Sequence, residues 1–282
     1  MMYQELEKVT PRSTYRRLLE RGQRRVGTLV VWFQLIRNLA VRDVEIRYKH
    51  SLLGMYWAII NPLVTAAVYS FVFHYIFRAS SGSVPYVVFL LAGITFWNFF
   101  ANGVFSASTS ITGGAALLAK VYFPRVVLPT AAILARLIDL AFSSVVLAVF
   151  ILIYRVPTHW SAIFIIVVLA LQTIFTLGIG YLVAALNVLY RDVSQLVGLV
   201  LMVWMYLSPV MYVGSSISSG KLSIVLLLNP IGSFLQADRD LLFVGHITDW
   251  AFVWSAVIWT VFVFLAGIAT FKRTEPLFAE VM

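Results

Sequence analysis

The chain has 282 residues, of which 61% are hydrophobic and 12% charged, with a formal net charge of +9 and no cysteine. Soluble domains hold roughly 45–50% apolar and 25% charged residues, so an ordinary water-soluble enzyme or binding module is excluded, and so are disulfides, thiolate metal sites and thiol catalysis. The positive charge does not point to nucleic acid, because 11 of the 21 Lys and Arg residues fall in the first 50 positions, where membrane proteins retain basic residues on the cytoplasmic side.

Residues 1–28 are polar and basic, with Arg16, Arg17, Arg21, Arg24 and Arg25 and no apolar run. They are expected to form a cytosolic tail at anionic lipid headgroups or a partner, or to stay without fixed structure, and not to act as a cleaved leader. From Leu29 the pattern becomes helical: Leu29, Phe33, Ile36, Ala40, Val44 and Tyr48 recur every three or four residues, opposite Gln34, Asn38, Arg42, Glu45 and Lys49. That alternation predicts an amphipathic helix lying along the cytoplasmic interface, since Arg37, Arg42, Asp43, Glu45 and Arg47 make a crossing costly.

Six spans are expected after it. The first runs from Leu52 to Phe77 with a kink at Pro62, and the second from Tyr86 to Ser110. A basic loop over Gly113–Pro129, carrying Lys120 and Arg125, leads into the third span, which ends at Tyr154. The fourth runs from Ala162 to Leu189, the fifth from Leu196 to Val213, broken near its far end by Pro209, and the last from Trp250 to Phe271. Two apolar pieces, Leu222–Leu228 and Ile231–Phe243, reach only about 11 and 20 Å as helices, against a core of about 30 Å, so they are expected as a re-entrant or interfacial hairpin on the outer side. With six spans, 16 Lys and Arg lie on the side of both termini and four on the other, which places the termini in the cytoplasm. The domain division is a tail and interface helix over 1–50 and a six-helix transmembrane domain over 51–282, with the hairpin at about 214–248.

Few residues carry chemistry. His50, His74, His159 and His246 are far apart and pair with no carboxylate at metal-ligand spacing, so no metal site is expected. GSSISSGKL, from Gly214 to Leu222, departs from a phosphate-binding loop: five residues separate its glycines, and Leu222 stands where a Ser or Thr would hold Mg²⁺. ATP hydrolysis therefore falls to another chain. Arg136 and Asp139 are the expected intramembrane charges, spaced to pair on one helix face; a structural ion pair, packing against a partner copy and substrate contact all remain open for them. Tyr56, Trp57, Tyr69 and Phe73 in the first span and Trp204, Tyr206 and Tyr212 in the fifth have flat faces that could stack on sugar rings. Interfacial belts and ordinary packing are the plain alternative for each.

Five blocks resemble, in order, those of ABC-2-type permeases that export lipid-linked polysaccharides: RDVEIRYKHSLLGMYWAIINPL (Arg42–Leu63), KVYFPRVVLP (Lys120–Pro129), YRDVSQLV (Tyr190–Val197), YLSPVMY (Tyr206–Tyr212) and NPIGSFLQADRDLLF (Asn229–Phe243). The resemblance covers about residues 30–272. It implies an all-α membrane protein with six spans, an interface helix, a cytoplasmic coupling helix and outer re-entrant helices. It further implies a homodimer bound to two ATPase subunits that hold the ATP and Mg, with O-antigen, teichoic acid or galactan as cargo and no cofactor in this chain. By position, Arg42, Asp43, Arg47, Tyr48, Lys120, Phe123 and Arg125 would dock on the ATPase. The aromatics named above would line the sugar channel, and Asn229 and Pro230 would gate its outer mouth. Export of a drug or small lipid by the same architecture is the alternative, and a membrane-bound glycan transferase the rival of another class.

Overall fold

A computed structural model describes residues 32–49, 56–72, 84–118, 123–212 and 227–278. The basic tail, Phe73, Lys120, the GSSISSGKL segment and most of the Leu222–Leu228 piece lie outside them. Among the described residues every regular element is helical, as it must be where hydrocarbon offers the backbone no partner outside its own segment.

In chain order the elements are α1 (32–48), α2 (Trp57–Ser70), α3 (Tyr86–Gly113), the one-turn α4 (Ala115–Leu118), α5 (Val127–Ile153), α6 (Ile165–Leu189), α7 (Val193–Leu207), α8 (Pro230–Arg239) and α9 (Trp250–Thr274). A 3₁₀ turn over Trp160–Phe164 leads into α6, and a π turn over Asp240–Val244 ends α8. Among the described residues four stretches are long and apolar enough to cross a bilayer: Tyr86–Gly113, Val127–Ile153, Trp160–Leu189 and Trp250–Leu277. The described parts of α2 and α7 are shorter, 14 and 15 residues, or about 21–22 Å. α7 stops where expected: Ser208 is extended at φ −93°, ψ 147°, the conformation that a following Pro209 favours.

α3 is the central helix. Of its most apolar stretch 78% is inside the protein, against 17–28% for the other three long helices, whose remaining surface is apolar and suited to lipid. Phe100 stacks on Phe175 of α6 and meets Trp204 of α7 edge-on, with ring centroids 5.8 and 5.3 Å apart. Helix pairs approach closely where glycine allows it. A Cβ on Gly267 of α9 would stand 2.0 Å from the Gly178 carbonyl oxygen of α6, so two backbones touch there, the small-residue contact that replaces the hydrophobic drive in lipid.

α1 docks through Leu35, Ile36, Leu39 and Ala40 onto Leu117, Leu118, Phe123, Val127, Leu128 and Ala131. Its buried stripe is rotated from the periodicity expected: Leu35 and Leu39 turn inward while Phe33 is exposed. An interface helix offers one apolar side to protein and another to acyl chains, and a single hydrophobic stripe in the sequence merges the two.

Candidate functional site

Asp43, Arg47, Arg136 and Asp139 converge at the junction of α1 with α3 and α5. Asp139 is the hub. Its carboxylate accepts from Arg47 Nη1 at 2.5 Å, from the Tyr48 hydroxyl at 2.5 Å and from Arg136 Nη1 at 3.2 Å. Asp43 stands 3.8 Å from Arg47 one turn earlier on α1. Arg136 also donates to the Ser106 hydroxyl of α3 through Nε at 2.9 Å. The side chains of Arg47, Arg136 and Asp139 are each about one fifth exposed, at 20–22%, so the network is shielded but not dry. Burial, followed by the hydrogen bond to Asp139 and the charge of that carboxylate, pushes the Tyr48 phenol up to about 12. Arg42, Asp43, Arg47 and Arg136 line a cavity of about 430 Å³ between α1, α3 and the start of α5.

The segment between α3 and α5 is held from two sides. Phe123 is buried against Leu39 of α1. Arg125 donates to the Glu275 carbonyl at 2.5 Å and lies 5.7 Å from the ring centre of Phe278. Phe278 is itself fully buried against Phe271 of α9. Movement of α1 and of the chain's last turn is thus tied to one loop.

The expected channel aromatics divide. Tyr56 and Tyr206 are exposed, Trp57 partly so, and the Tyr69 hydroxyl of α2 is hydrogen-bonded to that of Tyr206 on α7. Trp204 turns inward, donating its indole N–H to Asn229 Oδ1 at 3.0 Å. Tyr212 donates to the Leu207 carbonyl at 3.2 Å.

Asn229 caps α8 by accepting from the Gly232 N–H at 3.3 Å, and its amide donates to the Leu207 carbonyl at 3.2 Å and to the Ser208 hydroxyl at 3.0 Å. Pro230 follows at the first helical position, where its missing N–H is no loss. One side chain thereby joins the start of α8 to the end of α7. At the other end of α8, Arg239 is buried. It donates to the carbonyls of Pro209 and Val210, the latter at 2.7 Å, and lies 3.6 Å from the ring centre of Phe89. Gly93 makes the room: a Cβ there would stand 2.6 Å from Arg239 Nη2. The neighbouring Asp238 is also buried, and Asp240 accepts from the Thr248 N–H and hydroxyl and from Gln236.

Sequence reasoning missed the link from Arg47 and Tyr48 to Asp139, 92 and 91 positions away, which no local spacing can reveal. It also missed Arg239, although an Arg beside an Asp in an otherwise apolar hairpin is a signal of a buried pair.

These features define an all-helical, multi-pass membrane protein in which ionic contacts fasten α1 to α5 and an asparagine joins α7 to α8. The chain belongs to the ABC-2 type transporter family, which matches residues 34–243. It is 29% identical over 252 residues to an O-antigen export system permease protein, RfbA, of Klebsiella pneumoniae, covering 89% of this chain and 95% of that one. It is 29% identical over 258 residues to the RfbA protein of Myxococcus xanthus, covering 91% and 98%. The polysialic acid transport protein KpsM of Escherichia coli is 21% identical over 245 residues, covering 85% and 93%.

Proposed function

We propose that this chain is the membrane subunit of an ATP-driven exporter that moves a lipid-linked polysaccharide of O-antigen type across the cytoplasmic membrane. The observation that carries the reading is similarity to O-antigen export permeases over 89–91% of this chain and 95–98% of theirs. In this reading α2 and α7 are the first and fifth of six spans, with both termini cytoplasmic. Two copies of the chain form the channel, and two copies of a separate ATPase bind ATP and Mg.

Mechanically, the ATPase subunits would close on ATP and push against α1 and the loop carrying Phe123 and Arg125. The Arg47–Asp139 and Tyr48–Asp139 bonds would pass that displacement to α5 and α3, and the Asn229 bonds would pass movement of α7 to the outer hairpin. Polar hydroxyls of a glycan cost several kcal/mol each when left unpaired in hydrocarbon, so the path needs stacking faces and hydrogen-bonding groups, which Tyr56, Trp57 and Tyr206 offer. Co-expression with an ATPase subunit, purification and transport assay in vesicles test the proposal. A stable complex with ATP-dependent movement of lipid-linked glycan is expected; a complex that hydrolyses ATP and moves only drugs or small lipids would refute it.

A further inference from the structure

The central helix α3 carries polar residues along one face at the depth where apolar ones would be expected. Thr95, Asn98, Asn102, Ser106 and Thr109 follow at intervals of three or four residues, so they share a face over about 21 Å. Ser106 is engaged by Arg136. The residues above it are not engaged. Thr95 is 1% exposed and its hydroxyl has no hydrogen-bond partner. By contrast the hydroxyls of Thr130, Thr173, Thr176 and Thr260 each donate to the carbonyl four residues back, all at 2.7 Å. Asn98 is half-buried and Asn102, like Asn61 of α2, is exposed, so these amides are open to whatever occupies the space beside them.

These groups converge on one half-open cavity of about 320 Å³ between α1, α2, α3 and α5, lined also by Trp57 and by the Arg47–Asp139–Arg136 network. That volume is at the lower end of the roughly 300–1,000 Å³ usual for ligand pockets. Asn98 lies about 22 Å along α3 from Gly113 and about 18 Å from Tyr86, so the cavity rises from the interface helix to mid-membrane. Polar side chains at this depth hold helices together when they bond across them; these do not. They face a cavity, which is where unpaired polar groups in a membrane protein sit when something polar fills it.

The lining selects the occupant. Each asparagine amide both donates and accepts, as vicinal ring hydroxyls require, and Trp57 supplies a flat indole edge to the same space. The Asp139 carboxylate is already taken by two guanidinium groups and a phenol, so it neither recruits a metal cation nor leaves the site strongly charged. An acyl chain would leave every amide unsatisfied. We infer that the cavity is a sugar-binding subsite that takes one hexose ring of the cargo on the interface-helix side of the membrane. This deepens the reading of the chain as a glycan exporter and rests on it.

The chain has no cysteine, so single-cysteine variants report cleanly. Asn98→Cys and Asn102→Cys, in the complex with its ATPase, are reacted with a small water-soluble methanethiosulfonate and read on the permease band. The reactions are run alone, with a prenyl diphosphate bearing one hexose, and with the same prenyl diphosphate lacking the sugar. Labelling that is slowed several-fold only by the sugar-bearing compound is expected, with Tyr190→Cys, on an exposed turn, unaffected. No labelling at either position, no protection, or equal protection by both compounds overturns the sugar subsite. Thr95→Val, made alone for export and combined with Asn98→Cys for labelling, adds a readout that a structural role would not move: removing an unpaired buried hydroxyl leaves thermal stability equal or higher, yet should weaken protection and slow export. Wild-type protection and export in that variant overturn the inference while the exporter reading stands; a native complex that moves no glycan at all refutes the exporter reading itself.

Discussion

Arg47 Nη1 of α1 lies 2.5 Å from Asp139 Oδ2 of α5, a contact between residues 92 positions apart that fastens α1 to a helix long and apolar enough to cross a bilayer. Asp139 sits between two guanidinium groups, Arg47 and Arg136, and without it they would face each other.

Asp139→Asn should therefore loosen α1. Removing one partner of a buried ion pair costs about 3–5 kcal/mol, and partial exposure of these side chains reduces the expected loss to on the order of 2 kcal/mol. Arg47→Met in the same background should recover part of it by relieving the like charges. Thermal unfolding of the detergent-solubilised protein measures both. Unchanged stability in Asp139→Asn would show that the clamp holds nothing.

Tyr48 makes the same junction sensitive to alkali. Its phenol is pushed from the ordinary 10 up to about 12, first by burial and then by Asp139. Because folding favours the protonated phenol, this contribution is whole below pH 10, declines above it, and is gone once the pH passes about 12. The melting temperature of the wild type should thus fall towards that of Tyr48→Phe between about pH 10 and 12. Parallel pH curves for the two proteins would contradict the assignment.

The contact between α6 and α9 sets a steric limit. Gly267→Ala places a methyl group 2.0 Å from the Gly178 carbonyl oxygen, and a backbone atom cannot rotate away as a side chain can. Overpacking of this kind costs about 1–3 kcal/mol, occasionally more. Gly113→Ala, with nothing within 4 Å of its Cβ, is the control. The folded yield in membranes should drop for the first and not for the second.

Hydropathy made the long helices legible, because a bilayer demands about 20 apolar residues and tolerates few charges. The expected bounds Tyr86–Ser110, Ala162–Leu189 and Trp250–Phe271 lie within three residues of the helices Tyr86–Gly113, Trp160–Leu189 and Trp250–Thr274. Charge bookkeeping was legible only in part. Arg136 and Asp139 share a helix face by spacing alone, whereas Arg239 is buried because Gly93 on another helix leaves room for it. The polar face of α3 was present in the sequence at helical intervals from Thr95 to Thr109, hidden by the large aromatics between them. Which of those polar groups lacks a partner is a tertiary fact that no periodicity encodes.

The link between α7 and the outer hairpin rests on Asn229. Asn229→Ala removes the cap of α8, worth about 1 kcal/mol, and strands the Trp204 indole N–H, which costs about 1–3 kcal/mol if it stays buried. Trp204→Phe should cost less in the Asn229→Ala background than alone, by about 1 kcal/mol, because the shared hydrogen bond is already gone. Function discriminates further. If the hairpin is moved through this side chain, Asn229→Ala in the assembled complex should retain ATP hydrolysis while export falls, since the ATPase contacts proposed above fall on α1 and the Arg125 loop and not on α7 or α8. Export that falls only in proportion to protein level would make Asn229 a stability residue. Equal loss of hydrolysis and export would place the defect before the hairpin.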